Sequence, residues 1–159
     1  MAEPVPQHVV VRVTTLFDLC VERLHALGIP YSEYSTLPGN ALGRSNGREI
    51  QMKSGLSPVI RLYVMFHEVA HHYLHRVQYG MPAVTDDEAE YEAHWAARKL
   101  FVRYGLGEQI PLSWDMGTTA NRELVDRLGA EYLQRRIDVT VGLVAALVEP
   151  SRRKFDILN

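Results

Sequence analysis

The sequence predicts an α+β domain, and three observations carry that reading. Apolar residues recur at helical spacing in several stretches, short extended segments punctuated by turn residues lie between the first and second of these, and no repeat or linker interrupts the chain. The order is helix, small sheet, helix pair, C-terminal helical segment. Residues 1–159 are expected to form a single domain, long enough to bury a real core.

Each element has its own local reason. Thr15 to Leu27 reads as an amphipathic helix with Leu16, Leu19, Cys20, Leu24 and Leu27 along one stripe, closed by Gly28-Ile29-Pro30. The β-branched run Val9 to Val13 fits either an extension of that helix or a strand. Three β-candidates follow at Ile29–Ser35, Ala41–Gly43 and Glu49–Met52, separated by Pro38-Gly39-Asn40 and Ser45-Asn46-Gly47. Asn46-Gly47 is a hairpin signal, and the three segments predict a small antiparallel sheet. Ser57 as N-cap and Pro58 at the first helical position open a helix of about Pro58–Tyr79, ended by Gly80-Met81-Pro82. Thr85-Asp86-Asp87-Glu88 is a capping box that opens the next helix, which runs to Tyr104 and stops at Gly105. Gly107 to Met116, with Pro111 and Trp114, reads as a loop. A helical segment then spans about Thr118 to Val148, with Gly129 and Gly142 as weak points and Glu149-Pro150 as its end.

Composition narrows the function classes. The net charge is −2, from 17 Lys and Arg against 19 Asp and Glu, which disfavours a nucleic acid as direct partner. Arg152-Arg153-Lys154 is a short basic run of the kind found in solvated tails. Cys20 is the only cysteine, so no disulfide framework exists and any metal must be held by His and carboxylate. A lone Cys at this helical position reads as a small buried hydrophobe. The N-terminus lacks the basic and apolar regions of a signal peptide. The apolar run Val139 to Val148 is about half the roughly 20 residues that a bilayer crossing needs. These features exclude a membrane partner and make the cytoplasm the expected compartment.

His67-Glu68-Val69-Ala70-His71 carries the chemistry. Residues at i and i+4 share a helix face, so the two imidazoles can close on one Zn²⁺. Glu68, beside the first His, can take a proton from a water at the ion; this is the H-E-x-x-H arrangement of zinc peptidases. A catalytic zinc ordinarily keeps three protein ligands. On the helix opened by Thr85, Glu90, Ala93, His94 and Ala97 share one face, and the two alanines permit close approach to the motif helix. Glu90, 19 residues past His71, ranks first as third ligand, with Glu92 second and His94 third. His94 could instead orient a ligand by a hydrogen bond. His72 and His75 fall off the ligand face, since each residue turns the helix by about 100°. Tyr73, Tyr79, Tyr91 and Tyr104 could lend an oxyanion donor, and none is assigned that role.

The stretch Met65 to His75, followed by Glu90-Tyr91-Glu92-Ala93-His94-Trp95-Ala96-Ala97, resembles the ImmA/IrrE metallopeptidases and the related metallopeptidase domain of ArdC-type antirestriction proteins. Leu74-His75, Glu90, Glu92, Ala93 and Ala97 fall in register with the family pattern. Gly28-Ile29-Pro30-Tyr31, Ala41-Leu42-Gly43-Arg44 and Ile50-Gln51-Met52 resemble its sheet region more weakly, and Gly105-Leu106 and Ser113-Trp114 the segment after its second zinc helix. The resemblance implies a zincin-like fold of the gluzincin type, with His67, His71 and Glu90 as zinc ligands and Glu68 as the catalytic base. His94 departs from the pattern, standing where the family has an acidic residue or Asn. The DNA-binding domain of ArdC and a recognisable helix-turn-helix or sensor domain are both missing. The implied activity is that of a zinc-dependent endopeptidase acting on a protein or peptide, such as a transcriptional repressor of a mobile element or stress response. The competing expectation is a catalytically silent zincin-fold protein serving in binding or counter-defence.

Overall fold

The computed structural model describes residues 4–46, 48–74, 85–110 and 118–149. Among these, helix α1 (Gln7–Ala26) is followed by strands β1 (Tyr31–Tyr34), β2 (Gly43–Ser45) and β3 (Ile50–Lys53). Helices α2 (Pro58–Leu74), α3 (Asp86–Arg103), α4 (Thr118–Leu128) and α5 (Ala130–Val148) complete the order. The architecture is mixed α+β, mostly helical, with one three-stranded sheet.

The run Val9 to Val13 is helical, as part of α1. Its buried residues are Val9, Val13, Phe17, Cys20 and Leu24, at spacings of four and three that keep them on one face. That stripe is rotated from the expected one: Leu16 and Leu19 lie at its margin, and Leu27, the C-cap residue, is exposed.

The sheet corrects the antiparallel expectation. Its order is β1-β3-β2, with β2 antiparallel to β3 and β1 parallel to β3. Alternation and turn residues identify strands, but not which strand sits between which. Here the chain leaving β1 passes a 3₁₀ turn at Pro38–Asn40 and skips one strand position, and the β2–β3 hairpin folds β3 into the gap. Asn46 makes that hairpin turn by accepting hydrogen bonds at Oδ1 from the backbone N–H of Arg48 and Glu49, both at 3.0 Å.

Helix α2 is the hub. It packs against α1, α3, α5, β2 and β3, and Leu62, Met65, Phe66, Val69 and Ala70 are fully buried. A helix covered on several sides needs apolar residues around most of its circumference, which Val59 to Tyr73 supplies. The Ser57 carbonyl accepts the first intrahelical bond from Arg61 at 2.8 Å, as the N-cap reading requires. The expected extension to Tyr79 and the Gly80-Met81-Pro82 stop lie outside the described residues.

Helix α3 begins as expected, with Thr85 Oγ1 accepting from the Glu88 N–H at 3.2 Å. It packs against α2 and α5, and its Ala93, Ala96, Ala97 and Leu100 are fully buried, small side chains among them letting helix axes come close. Phe101 stacks edge-on against Phe66 and Tyr63, with ring centroids 6.0 and 5.3 Å apart. Of the expected loop, Gly107–Gln109 is a 3₁₀ turn, and Pro111 and Trp114 lie outside the described residues. The C-terminal helical segment breaks at Gly129, where φ is +88°, and continues through Gly142. No described helix is long and apolar enough to cross a membrane.

Candidate metal centre

Two helices build the site. On α2, His67 and His71 stand one turn apart with Nε2 atoms 3.1 Å from each other. From α3, the Glu90 carboxylate reaches both, with Oε1 at 3.0 Å from His67 Nε2 and Oε2 at 2.9 Å from His71 Nε2. These three side chains offer ligand atoms that all lie within 4.8 Å of one another, the one such group among the described residues. Of the three candidates for third ligand, Glu90 is the one placed with His67 and His71.

The donor set suits a cation. Two imidazole nitrogens and a carboxylate oxygen pointing at one locus repel unless a positive centre or a proton lies among them. The 3.1 Å between the two Nε2 atoms sits just inside the edge of about 3.3 Å expected for a tetrahedron with ligands about 2.0–2.1 Å from zinc, and Glu90 offers one oxygen to each imidazole. His and carboxylate without thiolate are ligands that zinc accepts.

Electrostatics of the protein itself point the same way. Burial opposes the charged form of His71, but its hydrogen bond to Glu90 and the nearby carboxylates outweigh this and raise its pKa above the ordinary value. The hydrogen bonds from His67 and His71 hold the Glu90 carboxyl far below the usual carboxylate range. Glu68 differs. It is 7% exposed, burial pushes its pKa up against the opposing pull of His67 and His71, and its Oε1 lies 3.9 Å from His67 Nε2. A buried carboxylate beside the cluster is a group that could exchange a proton there.

Glu92, second in the ranking, points to the opposite side of α3. It is fully buried and forms a two-pronged ion pair with Arg136 of α5, through Nε to Oε1 and through Nη2 to Oε2 at 3.2 Å. Burial raises its pKa and Arg136 counters that. Glu88 joins the same group, accepting from Tyr132 Oη at 3.1 Å and lying 3.3 Å from Arg136 Nε. His94, third in the ranking, lies beside Tyr63 of α2, whose Oη is 3.3 Å from Nδ1. His72 is wholly buried and outside the cluster. His75 and Tyr79 lie outside the described residues, as does the run Arg152 to Lys154. Tyr73 and Tyr104 are buried, and Tyr91 lies beside Trp95 with ring centroids 6.2 Å apart.

Sequence reasoning missed two participants. Arg136 lies 44 residues from Glu92, and no local pattern pairs them. Gly43 of β2 lies directly against Glu68: a Cβ built on it would be 2.9 Å from Glu68 Cγ. A glycine inside a three-residue strand is the only local sign of such an approach. No protein-family model matches the chain, and neither do curated proteins or solved structures at a significant level.

Proposed function

We propose that this chain is a zinc-dependent endopeptidase with His67, His71 and Glu90 as metal ligands and Glu68 as general base. One observation carries the reading: two imidazoles and a carboxylate from separate helices converge within 4.8 Å, with a second, buried carboxylate 3.9 Å from the nearer imidazole. When bound there, zinc would supply Lewis acidity towards the scissile carbonyl and acidify an attacking water. Glu68 accepts the water's proton at its carboxylate and passes it to the leaving amine nitrogen. Its raised pKa favours the first transfer, because a carboxylate that holds a proton more firmly is the stronger base.

The sheet supports a peptide as substrate. Leu42 and Asn46 bond across to β3, so the alternation of an antiparallel ladder turns the N–H and C=O of Gly43 and Ser45 away from β3. No described strand pairs with that edge. An extended peptide adding there would lie beside Glu68 with its backbone bonds satisfied. The motif resemblance to ImmA/IrrE metallopeptidases extends the proposal to a cytoplasmic enzyme whose substrate is a regulatory protein, such as a transcriptional repressor.

The test begins with metal. Purified protein after mild dialysis should hold about one equivalent of zinc. The His67→Ala variant should hold far less, and equal loading of both would refute the ligand assignment. Glu68→Gln should keep zinc and fold while losing cleavage by about 10²–10⁴-fold, the share that general-base help contributes. Full zinc loading with no cleavage of any repressor or peptide library by the wild-type protein would favour the silent-scaffold reading instead.

A further inference from the structure

Among the described glycines, Gly28, Gly39, Gly55, Gly105 and Gly129 have positive φ and open space where a Cβ would go. Gly43 is the reverse. Its φ lies outside the left-handed region, so the backbone does not require glycine, but a Cβ there would be 2.4 Å from Val64 Cγ1 and 2.9 Å from Glu68 Cγ. Both distances are inside what carbon atoms tolerate. Space, and not conformation, excludes a side chain at this position.

Val64 and Glu68 are one helical turn apart and form a ridge on α2 over which β2 passes. The two contacts have different consequences. Val64 is an apolar residue of the core, so its contact with Gly43 sets how closely sheet and helix pack. Glu68 Cγ is the joint that aims the carboxylate, and the carboxylate lies 3.9 Å from His67 Nε2. An atom added at Gly43 would push on that joint.

We propose that Gly43 is a positioning residue, whose bare Cα forms the wall that holds the Glu68 side chain with its carboxylate beside the His67–His71–Glu90 cluster. The functional consequence rests on the proposed role of Glu68 as base; the wall itself is a matter of geometry. The three atoms nearest a Cβ at Gly43 belong to Val64, Glu68 and Gln51 and not to His67, His71 or Glu90, so metal affinity is separable from carboxylate placement.

The two contacts can be pulled apart by mutation. Gly43→Ala alone strains both. Adding Val64→Ala removes the tighter clash and makes room for the sheet to stay seated, while the new methyl still meets Glu68 Cγ. Zinc-loaded wild type, Val64→Ala, Glu68→Gln and Gly43→Ala/Val64→Ala are compared by crystal structure, zinc affinity and affinity for acetohydroxamate. That probe chelates zinc and offers a proton to a neighbouring carboxylate. The double variant is expected to melt close to Val64→Ala and bind zinc as Val64→Ala does. Its Glu68 carboxylate should be displaced, and acetohydroxamate weakened by about 10- to 10²-fold, the loss of one hydrogen bond to a charged group. If Glu68 keeps its wild-type position and the probe binds as tightly as to Val64→Ala, the proposal is overturned. If Glu68 is displaced in the double variant while Glu68→Gln binds the probe like wild type, the wall is upheld, and the role of Glu68 as base is what fails.

Discussion

Glu90 and Glu92 stand two residues apart on α3 and meet opposite surroundings. The Glu90 side chain is about half exposed and turned to two imidazoles, whereas Glu92 is sealed between α3 and α5 against Arg136. Their substitutions should therefore fail in different ways. Glu90→Ala should weaken zinc binding with little loss of fold, read by metal titration. Glu92→Ala should leave one equivalent of zinc in the folded protein and lower stability in urea. Breaking a buried ion pair costs about 3–5 kcal/mol when a charge is stranded. Glu88, 3.3 Å from Arg136 Nε, should hold the loss below that range. Loss of zinc in Glu92→Ala without loss of stability would reverse the two roles.

At the scale of elements, two glycines that look alike in sequence behave differently. Gly129 separates α4 from α5 at φ +88° and ψ 136°, outside the left-handed helical well, a conformation that costs an L-residue about 1–3 kcal/mol. Gly142 lies exposed inside α5, and nothing stands within 4 Å of where its Cβ would be. Gly129→Ala should thus lower the melting temperature, and Gly142→Ala should raise it by up to the 0.5–1 kcal/mol or so that alanine gains over glycine within a helix. For a chain of this size each kcal/mol corresponds to about 2–4 °C, within reach of a calorimetric scan. Shifts of the same sign for both would mean that the break at Gly129 is not what the chain needs there.

For the molecule as a whole, the His67–His71–Glu90 cluster joins α2 to α3. Without metal, the raised pKa of His71 means that attraction between its imidazolium and Glu90 supports the fold below the ordinary imidazole value of 6.5 and is lost as pH rises through the folded value. The lowered pKa of Glu90 means that the same attraction is present above the ordinary carboxyl value of 4.5 and is lost in acid as Glu90 takes up a proton. The apo protein therefore holds this contact best between about 4.5 and 6.5. Zinc needs the imidazole lone pairs free of protons, so its stabilisation by mass action grows above that window. Melts with zinc and with chelator should differ clearly at pH 7.5 and converge near pH 5. A gap that is equal at both values would place the bound metal elsewhere.

The local order of elements was legible from residues close in sequence. Thr85 as a cap, Ser57-Pro58 as a helix start, Asn46 as a hairpin turn and the i, i+4 pair His67 and His71 each follow from geometry within one turn of chain. Glu90 was legible because a helix of known start fixes which residues share a face. Tertiary structure alone decided the rest. It inserted β3 between β1 and β2, turned the α1 stripe towards Val13 and Phe17, paired Glu92 with Arg136, and seated Gly43 on Glu68. The physical reason is common to all four. Each depends on which surfaces meet across long stretches of chain, and burial rewards many such meetings nearly equally until the whole core is assembled.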